Sequence, residues 1–298
     1  MHTALTAGIS AVDIDGPVYV RDLGEGPPML LIHGLGGSLH NWDPILDQLT
    51  AGHRVIAPNL VGFGSTEPLG RSATVDANRQ MLERLIEHLG VGPVTVMGNS
   101  MGGLIAMLLA SKAPDLVSGL ILVNPASPLP PRARISPAMV MRLVIPALPV
   151  VGPASFRTWM RAVPPEQQVA DTLQFVAKYP DRLPKEYVEV AVELARQRMD
   201  RIDWAPNTFA EAAQSIGRTL TNRSGFKAMV RHILTPTLLV HGDSDQVVPP
   251  LAAEYLSGLR PDWTYRVFSD TGHVPMIECP DEFLALVDSW MTANAIAA

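Results

Sequence analysis

Residues Gly98-Asn99-Ser100-Met101-Gly102 are entered from an apolar run at 94–97 and left through another at 104–109. The pattern is that of a strand, a sharp turn and a helix, with the Ser100 hydroxyl at the turn. Small flanking residues belong there because the serine backbone is strained and the strand and helix pass close together. Such a turn lifts the hydroxyl clear of a sheet and aims the Met101 amide, at the positive end of the following helix, at the place where an oxyanion would form. An alcohol is a poor nucleophile at neutral pH, so Ser100 needs a base within hydrogen-bond reach, and the base needs an orienting carboxylate. His273, in Asp270-Thr271-Gly272-His273-Val274-Pro275, and Asp245, in Gly242-Asp243-Ser244-Asp245, each follow a late apolar run. They stand in the chain order serine, acid, histidine that goes with such a turn.

Both assignments have rivals. His2 and His88 read as terminal or surface residues, and His40 and His53 as loop residues. His241 closes an apolar run and suits a satisfied hydrogen bond at a strand end, whereas His232 lies in a connecting stretch. Asp243 is only two residues from Asp245, and spacing does not separate them. A turn at 242–245 would let Asp243 cap backbone amides. The other place for an acid, after the run at 120–123, holds Asn124, which has no carboxylate and leaves Asp245 favoured. A second oxyanion donor is sought in His33-Gly34-Leu35-Gly36-Gly37-Ser38, where glycines let the backbone approach a substrate closely. The amide of Leu35 is assigned that part. A plain strand-to-helix turn would account for the glycines but leaves His33 unexplained.

These residues need a scaffold that brings distant loops together. Strand-like runs at 29–32, 55–57, 94–97, 120–123, 237–240 and 265–268 alternate with amphipathic helical patterns at 42–49 and 76–89, and a last helix spans about 281–293. Alternation of this kind predicts an α/β fold with a mostly parallel central sheet. From 127 to 231 the alternation stops in favour of Pro-broken helical stretches at 137–147, 154–163, 166–178, 185–199 and 208–222. The chain is therefore expected to form a core from 1–126 and 232–298 with an all-helical lid at 127–231. Ligands of parallel sheets bind beyond the carboxyl ends of the strands, so such a lid would roof the Ser100 turn. Its Phe156, Trp159, Met160 and Phe175, with Trp204 and Phe209, are candidates to line an apolar pocket, although packing of lid on core accounts for each one equally well. Arg157 and Arg161 are candidates to hold a substrate carboxylate, against simple solvation.

Composition narrows the partners. The chain has 298 residues, 47% hydrophobic and 17% charged, with a net charge of −6. It is large enough for one buried α/β core and lacks the basic surface that nucleic acid or anionic lipid would require. No apolar stretch approaches the ~20 residues of a membrane span, and residues 1–16 lack a basic region and carry Asp13 and Asp15, so a cytoplasmic location is expected. The single cysteine, Cys279, forbids an internal disulfide and fits a reducing compartment. No Cys/His grouping has metal-ligand spacing and no Gly-rich phosphate loop is present, so neither a metal nor a cofactor is expected. The expected partner is a small-molecule substrate, and no motif specifies an oligomeric state.

Taken together, the motifs resemble those of the α/β-hydrolase superfamily. The resemblance rests on His33-Gly34-Leu35-Gly36-Gly37, residues 54–65, Gly98-Asn99-Ser100-Met101-Gly102-Gly103, the stretch from Gly242 through Asp245 to Pro249, and Gly272-His273 through Glu278 and Pro280 to Phe283. It implies Ser100 as nucleophile, His273 as base, Asp245 as acid and the amides of Leu35 and Met101 as oxyanion hole. One departure is Asn59, where the family usually has aspartate, a position read as structural. A serine at the turn argues against the epoxide hydrolases and haloalkane dehalogenases of this superfamily, which use aspartate there. The expectation is cleavage of a small, largely apolar ester through an acyl-enzyme. The alternative is a carbon–carbon bond hydrolase of vinylogous diketones, whose turn often reads like residues 98–103 but which usually has tryptophan where this chain has Val274. A third reading is a small-molecule receptor on the same fold, against which an intact triad argues.

Overall fold

In the computed structural model, which describes residues 7–131, 133 and 136–296, the apolar runs become a single sheet. Its strands are β1 (Ile9–Asp13), β2 (Pro17–Leu23), β3 (Pro28–Ile32), β4 (Arg54–Pro58), β5 (Val94–Asn99), β6 (Val117–Val123), β7 (Thr237–Gly242) and β8 (Thr264–Phe268), in the order β1-β2-β4-β3-β5-β6-β7-β8. From β4 to β8 every neighbouring pair is parallel, and β1 and β2 add an antiparallel edge. Each position of β5 and of β7 is buried, as a parallel strand covered on both faces requires.

The period of two in β3 sorts side chains to opposite faces. Leu30 and Ile32 join Val94, Val96 and the buried stripe Met81, Leu82, Leu85 and Ile86 of the helix Val75–Leu89 on one side. Met29 and Leu31 join Met97, Ile121 and Val123 on the other, under Trp42 and the Phe283 and Trp290 of the helix Pro280–Ala293. Helix Val75–Leu89 starts where the Thr74 hydroxyl accepts the Ala77 amide at 3.3 Å and stops at Gly90, whose φ of 62° suits a residue without a Cβ.

Several elements depart from the sequence reading. The edge strands β1 and β2 and the helix Pro250–Leu259 were not anticipated. Nor was Arg223–Arg231, whose Phe226, Met229 and Val230 sit in the same core cluster as the sheet. Residues 223–231, expected in the helical insertion, thus pack with the core. The stretch 137–147 is broken into Pro137–Met139, a π-helical turn Val140–Val144 and Ile145–Ala147. Pro146 cannot donate to the preceding turn, and the chain then bends by 114° into the helix Val151–Ala162. Among the described residues no single helix is long and apolar enough to cross a membrane. Residues 132, 134 and 135 of the expected insertion and 1–6 and 297–298 of the expected core lie outside the described residues.

The helices between β6 and β7 lie against loops at the carboxyl edge of the sheet. Thr208 Oγ1 donates to the Gly62 carbonyl at 3.0 Å, beyond β4. A Cβ built on Gly36, beyond β3, would lie 3.2 Å from Phe209. Beyond β8, the His273 amide donates to the Val176 carbonyl at 2.6 Å and the Lys178 amide to Glu278 at 2.7 Å.

Candidate active site

Ser100 follows β5 directly and takes φ 57°, ψ −117°, a conformation rarely adopted by a residue with a side chain. The surroundings enforce it. The Ser100 amide donates to the Val123 carbonyl at 3.0 Å, and its own carbonyl accepts the amides of Ala126 at 2.9 Å and Leu104 at 3.2 Å. A Cβ on Gly98 would stand 2.4 Å from the Gly102 carbonyl oxygen, one on Gly102 2.0 Å from that of Ile32, and one on Gly103 2.8 Å from Pro125. The glycines of the turn are therefore required by backbone packing. The helix Met101–Lys112 begins at once, so the Met101 amide belongs to the first turn, where amides have no intrahelical partner.

Asp245 and His273 meet beside this turn. His273 Nδ1 lies 2.7 Å from Asp245 Oδ2. With Nδ1–H donating to the carboxylate, Nε2 keeps its lone pair and has the form a base needs. Asp245 is buried, and both of its oxygens are occupied: Oδ1 accepts the amides of Val247 at 2.7 Å and Val248 at 3.0 Å, and Oδ2 also accepts Asn124 Nδ2 at 2.7 Å. Burial opposes its ionisation, but the facing His273, its hydrogen bond and the Asn124 donor outweigh burial, so the Asp245 pKa lies below the ordinary carboxylate range. Asp243 instead accepts the Ser244 hydroxyl at 2.9 Å and the Thr271 amide at 3.4 Å. Of the two acids left open by spacing, the structure brings Asp245 to the imidazole.

The other histidines take different parts. His241 Nε2–H donates to the Val248 carbonyl at 2.8 Å, and burial lowers its pKa, so it stands as a neutral ring behind Asp245. His232 caps its own helix through the Ala228 carbonyl at 2.6 Å. His273 is tied to the serine turn through the backbone, because Asn99 Nδ2 donates to its carbonyl at 3.1 Å. Among the described residues the Ser100 hydroxyl has no hydrogen-bond partner. Bonds of that kind commonly tighten only around a bound substrate.

His33 explains the loop beyond β3. The Leu60 amide donates to His33 Nε2 at 3.1 Å, so Nδ1 carries the proton and donates to the Gly34 carbonyl at 2.8 Å. Burial lowers this imidazole's pKa to about 4 and keeps it neutral. The Gly37 amide donates to the same carbonyl at 3.1 Å. A trans peptide points its C=O and N–H in opposite directions, so fixing the Gly34 carbonyl turns the Leu35 N–H away from His33. The loop rests on the serine turn: a Cβ on Gly34 would lie 3.1 Å from Ser100 Cβ and 3.3 Å from Asn99 Oδ1. Asn59 is structural, accepting the Leu39 amide at 2.9 Å and joining the loops after β3 and β4.

The four expected pocket residues separate. Phe156 stacks on Trp159 with centroids 5.6 Å apart and leans on Phe209 at 4.7 Å. Phe156 and Phe209 line a cleft with Gly36, Gly37, Trp204 and Phe63. Met160 is only 1% exposed. Phe175 packs on Val247 and Val248 of the acid loop, with Arg142 over its ring at 5.5 Å. Four contributors went unread in the sequence: Asn99, Asn124, and the pair Arg198 and Arg201 that also lines the cleft. From the sequence, position 124 offers only a place for an acid, although an amide there can donate to one.

With this geometry in view, the comparison with known families is direct. A family model described as alpha/beta hydrolase fold matches residues 27–280, a span that takes in all of these loops, and the chain belongs to that family. Among its relatives, Lipase 3 of Moraxella sp. (strain TA144) is 31% identical over 268 residues, covering 89% of this chain and 77% of that protein. A 2-hydroxy-6-oxononadienedioate/2-hydroxy-6-oxononatrienedioate hydrolase of Pseudomonas sp is 25% identical over 284 residues, covering 92% of each. Among solved structures, a membrane phospholipase A described as a bacterial virulence factor superposes with a TM-score of 0.79 at 25% identity, covering 99% of this chain and 90% of that one. The chain is a hydrolase of the α/β fold.

Proposed function

We propose that the protein cleaves a small, largely apolar carboxylic ester through an acyl-enzyme, with Ser100 as nucleophile, His273 as base and Asp245 as the orienting acid. The observation that carries this reading is the 2.7 Å contact of His273 Nδ1 with a buried Asp245, which leaves Nε2 free beside a strained serine turn. Ser100 Oγ attacks the carbonyl carbon while His273 Nε2 takes its proton. Asp245 then steadies the imidazolium. The carbonyl oxygen, now negative, receives the N–H groups of Leu35 and Met101. Loss of one such donor typically lowers the rate about 10²- to 10³-fold. The tetrahedral adduct collapses, the C–O bond breaks, and His273 returns its proton to the departing alcohol. Water then attacks the acyl-enzyme with His273 again as base, and the carboxylic acid and free Ser100 are restored. The helices over the sheet edge act in this scheme as the lid that excludes bulk water and shapes the acyl pocket.

The test is a panel of p-nitrophenyl esters of graded acyl length run beside a ring-fission dienoate. Ester turnover that falls by about 10⁴-fold or more in Ser100→Ala, with the circular dichroism spectrum retained, supports the reading. A dienoate cleaved with higher kcat/KM than any ester moves the assignment to carbon–carbon bond hydrolysis. Saturable binding of esters without turnover moves it to a receptor.

A further inference from the structure

Two arginines of the helical segment point their charge at the core without meeting a carboxylate. Arg198, at the end of the helix Lys185–Met199, donates from Nη2 to the Gly36 carbonyl at 3.1 Å. Arg201, in the turn that follows, donates from Nη1 to the Gly64 carbonyl. Both are partly buried, and among the described residues neither forms an ion pair. Asp200 and Glu67 attract Arg201 only from beyond contact distance. Burial lowers both guanidinium pKa values, and the two charges repel each other.

A backbone carbonyl satisfies one of a guanidinium's five N–H donors and neutralises none of its charge. A neutral amide side chain would clamp the same loops without the cost of burying a cation. The two guanidiniums line the cleft whose apolar walls are Phe63, Phe156, Trp204 and Phe209. That cleft begins at Gly36, two residues along the loop from Gly34, which touches Ser100. Two residues of chain span at most about 7 Å, so the rim of the cleft at Gly36 lies close to the residue that rests on the serine turn.

We propose that this cleft is an anion subsite and that the preferred substrate carries a carboxylate on an apolar or aromatic body, held by Arg198 and Arg201 while its ester group lies at Ser100. This rests on the ester reading above. Planar guanidinium donors match a carboxylate in two-pronged contact, and the aromatic walls take the carbon body. The carboxylate stands on either the acyl or the alcohol half of the ester, and matched substrates tell the two apart.

The experiment compares p-nitrophenyl hemi-esters of dicarboxylic acids with neutral p-nitrophenyl esters of equal length, and acetate esters of hydroxybenzoates with those of hydroxyacetophenones. Wild-type protein is expected to favour the anionic member of one pair by about tenfold in kcat/KM, mostly through KM. Arg198→Met and Arg201→Met should each lower kcat/KM on the anionic esters about tenfold more than on the neutral ones, and Arg198→Lys should restore part of that difference. Calorimetric titration with adipate, which is not hydrolysed, reads the subsite without catalysis, and binding should weaken about tenfold in either Met variant. Equal losses on anionic and neutral esters would mean that the arginines only clamp the loops, and absence of an anionic preference in both pairs would equally overturn the subsite. If no ester is turned over but adipate binding still depends on Arg198, the ester reading fails and the subsite stands.

Discussion

A neutral imidazole at position 33 makes the loop after β3 sensitive to acid. The His33 pKa falls from 6.5 in the exposed state to about 4 in the fold, so between those values the unfolded chain binds more protons than the folded one. Stability is therefore complete above about 6.5 and is lost as pH falls toward 4, by up to about 3 kcal/mol. Urea midpoints taken from pH 7 to pH 4.5 should fall steeply in wild-type protein. In His33→Gln, which starts less stable, they should fall more gently; parallel slopes would show that another group carries the acid sensitivity. Asp245 adds to the loss only further down, because its stabilisation is present above the ordinary carboxylate range and disappears as pH passes through its lowered pKa. Asp245→Asn should lower kcat/KM by about 10³-fold or more, since it removes the carboxylate that fixes the imidazole. Asp243→Asn, at a group bonded to Ser244 and Thr271, should cost less than about tenfold, and the reverse ranking would move the acid by two residues.

At the scale of elements, the serine turn is built from backbone in contact with backbone. Gly102→Ala would drive a Cβ to 2.0 Å from the Ile32 carbonyl oxygen and should destabilise the protein by about 3 kcal/mol or more. Gly217→Ala, in the helix Ala205–Thr221 with nothing within 4 Å of the added Cβ, should stabilise by up to about 1 kcal/mol. Thermal melts of the two variants check both signs. The glycines of the serine turn, and the strands that become β3 to β8, were legible because long apolar runs and a strand-turn-helix motif are local signals. The edge strands β1 and β2 were not, since Pro17, Arg21 and Asp22 dilute their alternation and only Val18 and Val20 of β2 show the buried period of two. Arg223–Arg231 hid for a similar reason: its buried face is just Phe226, Met229 and Val230 in a short polar stretch. Asn99 and Asn124 act through contacts to residues more than a hundred positions away, which no local pattern reports.

Across the whole molecule, the helical segment touches the loops after β3, β4 and β8, and its side chains fall into two sets. Phe156 and Phe209 face the cleft, so Phe156→Ala and Phe209→Ala should shift the preferred ester chain length while a very small phosphonate still labels Ser100 at the wild-type rate. Met160, at 1% exposure, is fully buried, and Met160→Ala should cost about 2–5 kcal/mol of stability. An unchanged profile in both phenylalanine variants would place selectivity in the core loops. All of this depends on a covalent step at one hydroxyl, and peptide mass spectrometry of protein quenched during turnover of a p-nitrophenyl ester addresses that step directly. The mechanism predicts an acyl mass on the peptide containing Ser100, at close to one equivalent per chain when release is slowed, together with a burst of p-nitrophenol of the same size. Steady turnover with no adduct at Ser100, or with the acyl group on another residue, would contradict it.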